Sequence, residues 1–133
     1  MAIVAVVVDP EFVLRQLGQE EDPLGRIARG TRGVRLTFVR SGPLERHLEG
    51  LNAPDPVLAY YRTRTVEVNP AKVDPADYPD GLSAMLAGAA VAAKAPFALT
   101  DNQELTHLPY PGGRIVDPWD LVDALTADSP AEP

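Results

Sequence analysis

Hydrophobic positions along the chain switch between two periods, and the switching predicts strands and helices in turn. Ala2–Val8 (AIVAVVV) is continuously apolar and β-branched, as a strand buried on both faces reads. Asp9-Pro10 stops it. Proline suits the first turn of a helix, and Phe12, Val13, Leu14 and Leu17 then predict a short amphipathic helix closing near Gly18. Leu24–Arg32 predicts another short helix, with Leu24, Ile27 and Ala28 facing inward. Val34–Val39 alternates with period two and predicts a second strand. Ser41 is placed to cap the next helix and Pro43 to sit in its first turn; Leu44, Leu48 and Leu51 form its apolar stripe.

A short helix is expected at Val57–Tyr61 and a third strand at Thr65–Val68, followed by a polar, proline-bearing loop over Asn69–Pro79. The strongest helical period begins after Asp80, with Leu82, Met85, Leu86, Ala89, Ala90 and Ala93 on one face and Pro96 beyond its end. A fourth strand is expected at Phe97–Thr100, a short helix from Asn102, a turn at Gly112-Gly113 and a fifth strand at Arg114–Val116. Asp117 and Pro118 open a last helix whose inner face is read as Trp119, Leu121, Val122 and Leu125. This order predicts an α/β fold with three layers, helix on sheet on helix, around a mainly parallel sheet of about five strands. One domain over residues 1–126 is expected, with a polar, disordered tail over 127–133.

Composition narrows the chemistry. The absence of cysteine excludes disulfides, thiolate metal sites and cysteine nucleophiles. No apolar run is long enough to span a bilayer, and the first strand lacks the basic leader of a signal peptide, so a cytoplasmic protein without a membrane partner is expected. The formal net charge is −7, which disfavours a general DNA-coating role. Its distribution changes that picture: residues 1–64 sum to +1 and residues 65–133 to −8. Arg26, Arg29, Arg32, Arg35 and Arg40 form a run without an acid, and guanidinium groups bind phosphate oxygens in pairs, so this run is a candidate phosphate contact.

In a parallel α/β sheet, ligands bind beyond the carboxyl ends of the strands. Asp9 follows the first strand directly and Asp101 follows the fourth; Asp80, opening the helix before the fourth strand, is expected on the same edge. Carboxylates gathered there repel one another unless a cation joins them, and oxygen ligands suit Mg²⁺ or Mn²⁺. Capping and turn formation are the structural alternatives for Asp80 and Asp101. His47 and His107 are too few for a zinc centre and read as half-exposed surface residues. No glycine-rich phosphate loop is present.

Taken in order, these residues resemble the PIN-domain family, especially its toxin-type ribonucleases. The stretches are Val6-Val-Val-Asp9, Ser41-Gly-Pro-Leu-Glu45, Asp80 with its alanine-rich helix, Thr100-Asp101-Asn102 and Ile115-Val-Asp-Pro-Trp119. The resemblance covers nearly the whole chain. It implies a Mg²⁺- or Mn²⁺-dependent endoribonuclease. Asp9, Glu45, Asp80 and Asp101 are then the catalytic acids, and Asp9, Asp80, Asp101 and Asn102 the metal ligands. It also implies an RNA substrate, an antitoxin partner and a homodimer. The chain departs from the family at several positions. Pro10 and Glu11 stand where a small hydroxyl residue and Asn are usual. The second acid aligns on Arg46, one residue past Glu45, and the fourth on Asn102, one residue past Asp101. A catalytically weakened or inactive PIN-like domain, binding protein or RNA without cutting, is therefore the second expectation.

Overall fold

The computed structural model describes residues 2–31 and 33–127, without the side chain of Ala127. Six strands form one sheet: β1 (Ala2–Val8), β2 (Val34–Ser41), β3 (Val66–Val68), β4 (Phe97–Leu99), β5 (Pro109–Tyr110) and β6 (Gly113–Val116). Their order across the sheet is β3-β2-β1-β4-β6-β5, and every neighbouring pair is parallel except β5 with β6. The helices are α1 (Pro10–Gln16), α2 (Pro23–Gly30), α3 (Gly42–Gly50), α4 (Asp55–Arg64), α5 (Gly81–Ala93) and α6 (Pro118–Ala127). A single 3₁₀ turn spans Pro75–Asp77.

Alternation along β1 divides the core in two. Val6 and Val8 point to one face and meet Phe12, Val13, Leu24, Ile27, Tyr61, Leu121 and Leu125 from α1, α2, α4 and α6. Val7 points to the other face and joins Leu82, Leu86, Ala89 and Ala90 of α5. Helix α3 reaches both faces, with Leu44 on the α5 side and Leu48 on the other. The expected three layers are thus present. β1 is central over Val6–Val8, where β2 and β4 flank it; its first residues pair with β2 but lie outside the register with β4.

The caps fall where the sequence puts them. Asp9, Asp22, Ser41 and Asp80 each accept a backbone N–H in the first turn of the helix that follows. Asp80 and Ser83 form a reciprocal capping box on α5. That helix ends on Lys94, which takes the left-handed conformation at φ 54°.

Several expectations need correcting. Residues Asn102–His107 form turns instead of a helix, because Asn102 closes its own turn: its carboxamide oxygen accepts the Glu104 N–H at 3.0 Å. The pair β5–β6, joined by the tight Pro111-Gly112 turn with Gly112 at φ 91°, adds a strand the apolar pattern does not announce. Leu51 caps α3 and is exposed instead of completing its stripe. Trp119 does not face the core: 81% of it is exposed, because the first turn of α6 turns its ring outward and leaves the inner face to Leu121 and Leu125. The tail expected from 127 onward falls, beyond Ala127, outside the described residues.

Candidate functional site

Because these strands run parallel, Ser41 at the end of β2 and Asp9, Asp101 and Asp117 just beyond β1, β4 and β6 lie on one edge of the sheet. Asp9 is the deepest of them, with no exposed surface. Its Oδ1 accepts the Glu11 N–H at 2.8 Å and its Oδ2 accepts the Thr100 hydroxyl at 2.8 Å. Burial raises its pKa to about 6, against the lowering effect of those two hydrogen bonds. The neighbouring Glu11 carboxylate adds to the rise, and Arg15 opposes it.

Arg15, one helical turn beyond Glu11, gathers the acids of this edge. Its Nε lies 3.0 and 3.1 Å from the two oxygens of Asp101, and its Nη2 donates to Asp101 Oδ1. The same guanidinium lies 3.3 Å from Glu11 and 3.9 Å from Asp9 Oδ2. Gln16 donates to Asp101 at 3.2 Å. Burial pushes the Asp101 carboxyl up, but the hydrogen bonds from Arg15 and Gln16 outweigh it and hold the pKa below its ordinary value. Hydrogen bonding to Asp101 likewise raises the Arg15 pKa above the usual guanidinium range. His47 Nε2 meets Glu11 Oε2 at 2.7 Å and ties α3 to α1. The buried Tyr61 hydroxyl donates to the Val8 carbonyl at 2.8 Å, which fixes the strand end below Asp9.

The side chains of the other expected site residues, Asp80, Glu45 and Asn102, bond to groups outside this centre, although the Asn102 N–H donates at 3.1 Å to the Thr100 hydroxyl that serves Asp9. Asp80 is exposed, and its recorded hydrogen bonds are all local: Oδ1 accepts the Ser83 N–H and hydroxyl, each at 2.8 Å. Glu45 is held between two arginines, at 2.8 Å from Arg40 Nε and 2.7 Å from Arg62 Nε. Hydrogen bonds from Arg40, then Arg62, keep its carboxyl below its ordinary pKa. Asn102 spends its side-chain oxygen on Glu104.

A divalent cation therefore finds no cage here. Among the described residues, no group of three or more His, Cys, Asp or Glu side chains is placed to hold a metal ion. The three carboxylates that do share a partner, Asp9, Glu11 and Asp101, share the guanidinium of Arg15.

The arginine run does not form one face. Arg26 is bound to Glu20 at 2.6 and 2.9 Å, and Arg29 lies 4.0 Å from Asp22; both are on α2. Arg35 is on the amino half of β2, paired in register with Ile3, far along the strand from the carboxyl edge. Arg40 is only 12% exposed and also donates to the Thr65 carbonyl at 2.8 Å, so it is an internal tie. Arg32 lies outside the described residues.

The residue that sequence reasoning passed over is Arg15. Its one local signal is its spacing, four residues after Glu11 on the helix that Asp9 caps. Its main partner, Asp101, is 86 residues away in sequence. No protein-family model matches the chain, and no curated protein matches it significantly.

Proposed function

We propose that the chain is a PIN-like domain whose acidic centre is satisfied by its own Arg15. It works by binding a partner, protein or RNA, at the carboxyl edge of the sheet, without cutting. The observation that carries this reading is the contact of one guanidinium with Asp101, Glu11 and Asp9. An arginine so placed supplies the cation that clustered carboxylates need, and it occupies lone pairs of Asp101 and Glu11 with directional bonds. The fixed charge is also the weaker catalyst: a guanidinium stabilises anions but does not generate hydroxide as a metal-bound water does.

The test is a cleavage assay on structured RNA with the full chain and excess Mn²⁺. The expected result is no cleavage above the metal-free control, with wild type, Asp9→Asn and Asp80→Asn indistinguishable. Cleavage that requires Mn²⁺ and disappears in both variants overturns this reading in favour of a second one.

That second reading is the metal-dependent ribonuclease of toxin type, with Asp9, Glu45, Asp80 and Asp101 as its acids, Mg²⁺ or Mn²⁺ as cofactor, an antitoxin as partner and a homodimer as its assembly. What favours it is the demand for positive charge at the ends of β1 and β4, together with the partial exposure of Arg15, which leaves its side chain free to swing toward solvent.

A further inference from the structure

Beside the acidic centre, α1, α2 and α6 enclose a cavity of about 600 Å³. Phe12, Ile27 and Val122 supply its apolar wall, Asp101 and Asp117 its carboxylates, and Trp119 its aromatic rim. The volume lies within the ~300–1,000 Å³ of ordinary small-ligand sites, which share this mix of apolar walls and a few polar groups.

Charge selects the ligand. Arg26, also in the lining, is committed to Glu20 through two hydrogen bonds, and Asp101 is committed to Arg15. Asp117 has no cation against it among the described residues. One of its oxygens caps α6 by accepting the Asp120 N–H at 2.8 Å, which leaves the other to a ligand. Trp119 is the most exposed of the large apolar side chains among the described residues. Its ring can bury apolar surface or face a cation, and a cation over an indole is attracted to it. Among the described residues of the lining, an anionic ligand would meet Asp117 with no free arginine to balance it.

We propose that this cavity is a binding site for a small organic cation: an ammonium or guanidinium joined to an apolar, preferably flat, body. The charged end rests on Asp117 under Trp119, and the body lies against Pro118 and Val122, with the buried Phe12 and Ile27 forming only the floor beneath it. The cavity borders the Arg15 cluster through Asp101 and Gln16, but the groups that select the ligand, Asp117 and Trp119, are not among the hydrogen-bond or ion-pair partners of Arg15, so failure of one proposal leaves the other standing.

Trp119 is the chain's one tryptophan, so its fluorescence reports on this rim directly. The full chain is titrated with phenylbutylamine, with phenylbutyrate as the anionic isostere, and with AMP. The amine is expected to give a saturable change, phenylbutyrate to bind at least about tenfold more weakly, and AMP to give none. Asp117→Asn keeps the helix cap, because Asn caps as well as Asp, and is expected to weaken the amine about fivefold. Val122→Phe fills the cavity and abolishes saturation while circular dichroism shows the fold retained. Equal binding of amine and carboxylate, tighter binding of AMP, or a response that never saturates overturns the proposal.

Discussion

A carboxylate with no exposed surface stays ionised only where hydrogen bonds or charge offset its lost hydration, and Asp9 has both in part. Its pKa rises from 3.8 to about 6, so the folded chain holds a proton between those values that the unfolded chain has released. The stability contributed by protonated Asp9 is therefore full below about pH 4 and is lost as pH rises through 6. Two units correspond to about 3 kcal/mol. Asp9→Asn retains a capping side chain and has nothing to titrate in that window. Its unfolding free energy relative to wild type should thus increase by up to about 3 kcal/mol between pH 4 and pH 7 in urea melts. Asp101 and Glu45, whose pKa values are lowered, act in the opposite direction but are common to both proteins and cancel in the difference. A difference that does not change with pH would show that Asp9 titrates as an ordinary exposed acid.

At the scale of elements, two joints fix the edge on which these residues sit. Arg40 at the end of β2 reaches Glu45 on α3 and the Thr65 carbonyl after α4, so one side chain holds three elements together. Truncating it leaves Glu45 to the more exposed Arg62 alone and removes the donor to the Thr65 carbonyl. Arg40→Ala should cost about 2–3 kcal/mol in denaturant melts, toward the lower end of values for broken buried pairs, and leave RNA affinity unchanged. A loss of RNA binding without loss of stability would restore Arg40 as a phosphate contact. The second joint is Gly88 in α5. A Cβ there would lie 2.9 Å from the Ala71 carbonyl oxygen, part of a backbone contact in which the Ala71 N–H donates to the Gly88 carbonyl at 2.9 Å. Gly88→Ala gains helix propensity but pushes the loop after β3 away, and should lower stability by about 1–3 kcal/mol in the same melts.

These joints also mark what was legible in the chain. Strands β1, β2 and β4 and helices α1, α3, α5 and α6 are written in local signals: apolar period, Asp or Ser caps, and proline in the first turn. Strand β5 is two residues long and exists only by pairing with β6, so no local period encodes it. The outward turn of Trp119 is likewise invisible locally, since a helix start can rotate by one position without breaking its period. The position of Asp9 at the end of β1 is legible because a strand end is a place that sequence can name. The Arg15–Asp101 pair is not, because it depends on α1 and the end of β4 meeting across the sheet edge.

At the scale of the whole molecule, the strand order turns an asymmetry of sequence into one of space. β3, β2 and β1 lie on one side of the sheet, and β4, β6 and β5 on the other. Over residues 96–127 the chain has one Arg against five acids, so −4 of the net −7 belongs to the second side with α6. The arginines of the first side are mostly spent within it: Arg26 on Glu20, Arg29 and Arg64 on Asp22, Arg40 on Glu45 and Arg62 on Glu45 and Glu49. A phosphate that recruits such a group must first displace a carboxylate, so counterion release gains little. Five free arginines would give single-stranded RNA a salt slope of about −3.5 in log affinity against log salt. With Arg26, Arg29 and Arg40 of the Arg26–Arg40 run held by acids, at most two of its five can contribute, and the slope should be no steeper than about −1.5, read by fluorescence anisotropy of a labelled RNA across a salt series. A slope near −3.5 would mean that the internal ion pairs open on binding, and would return the arginine run to the role its sequence suggests.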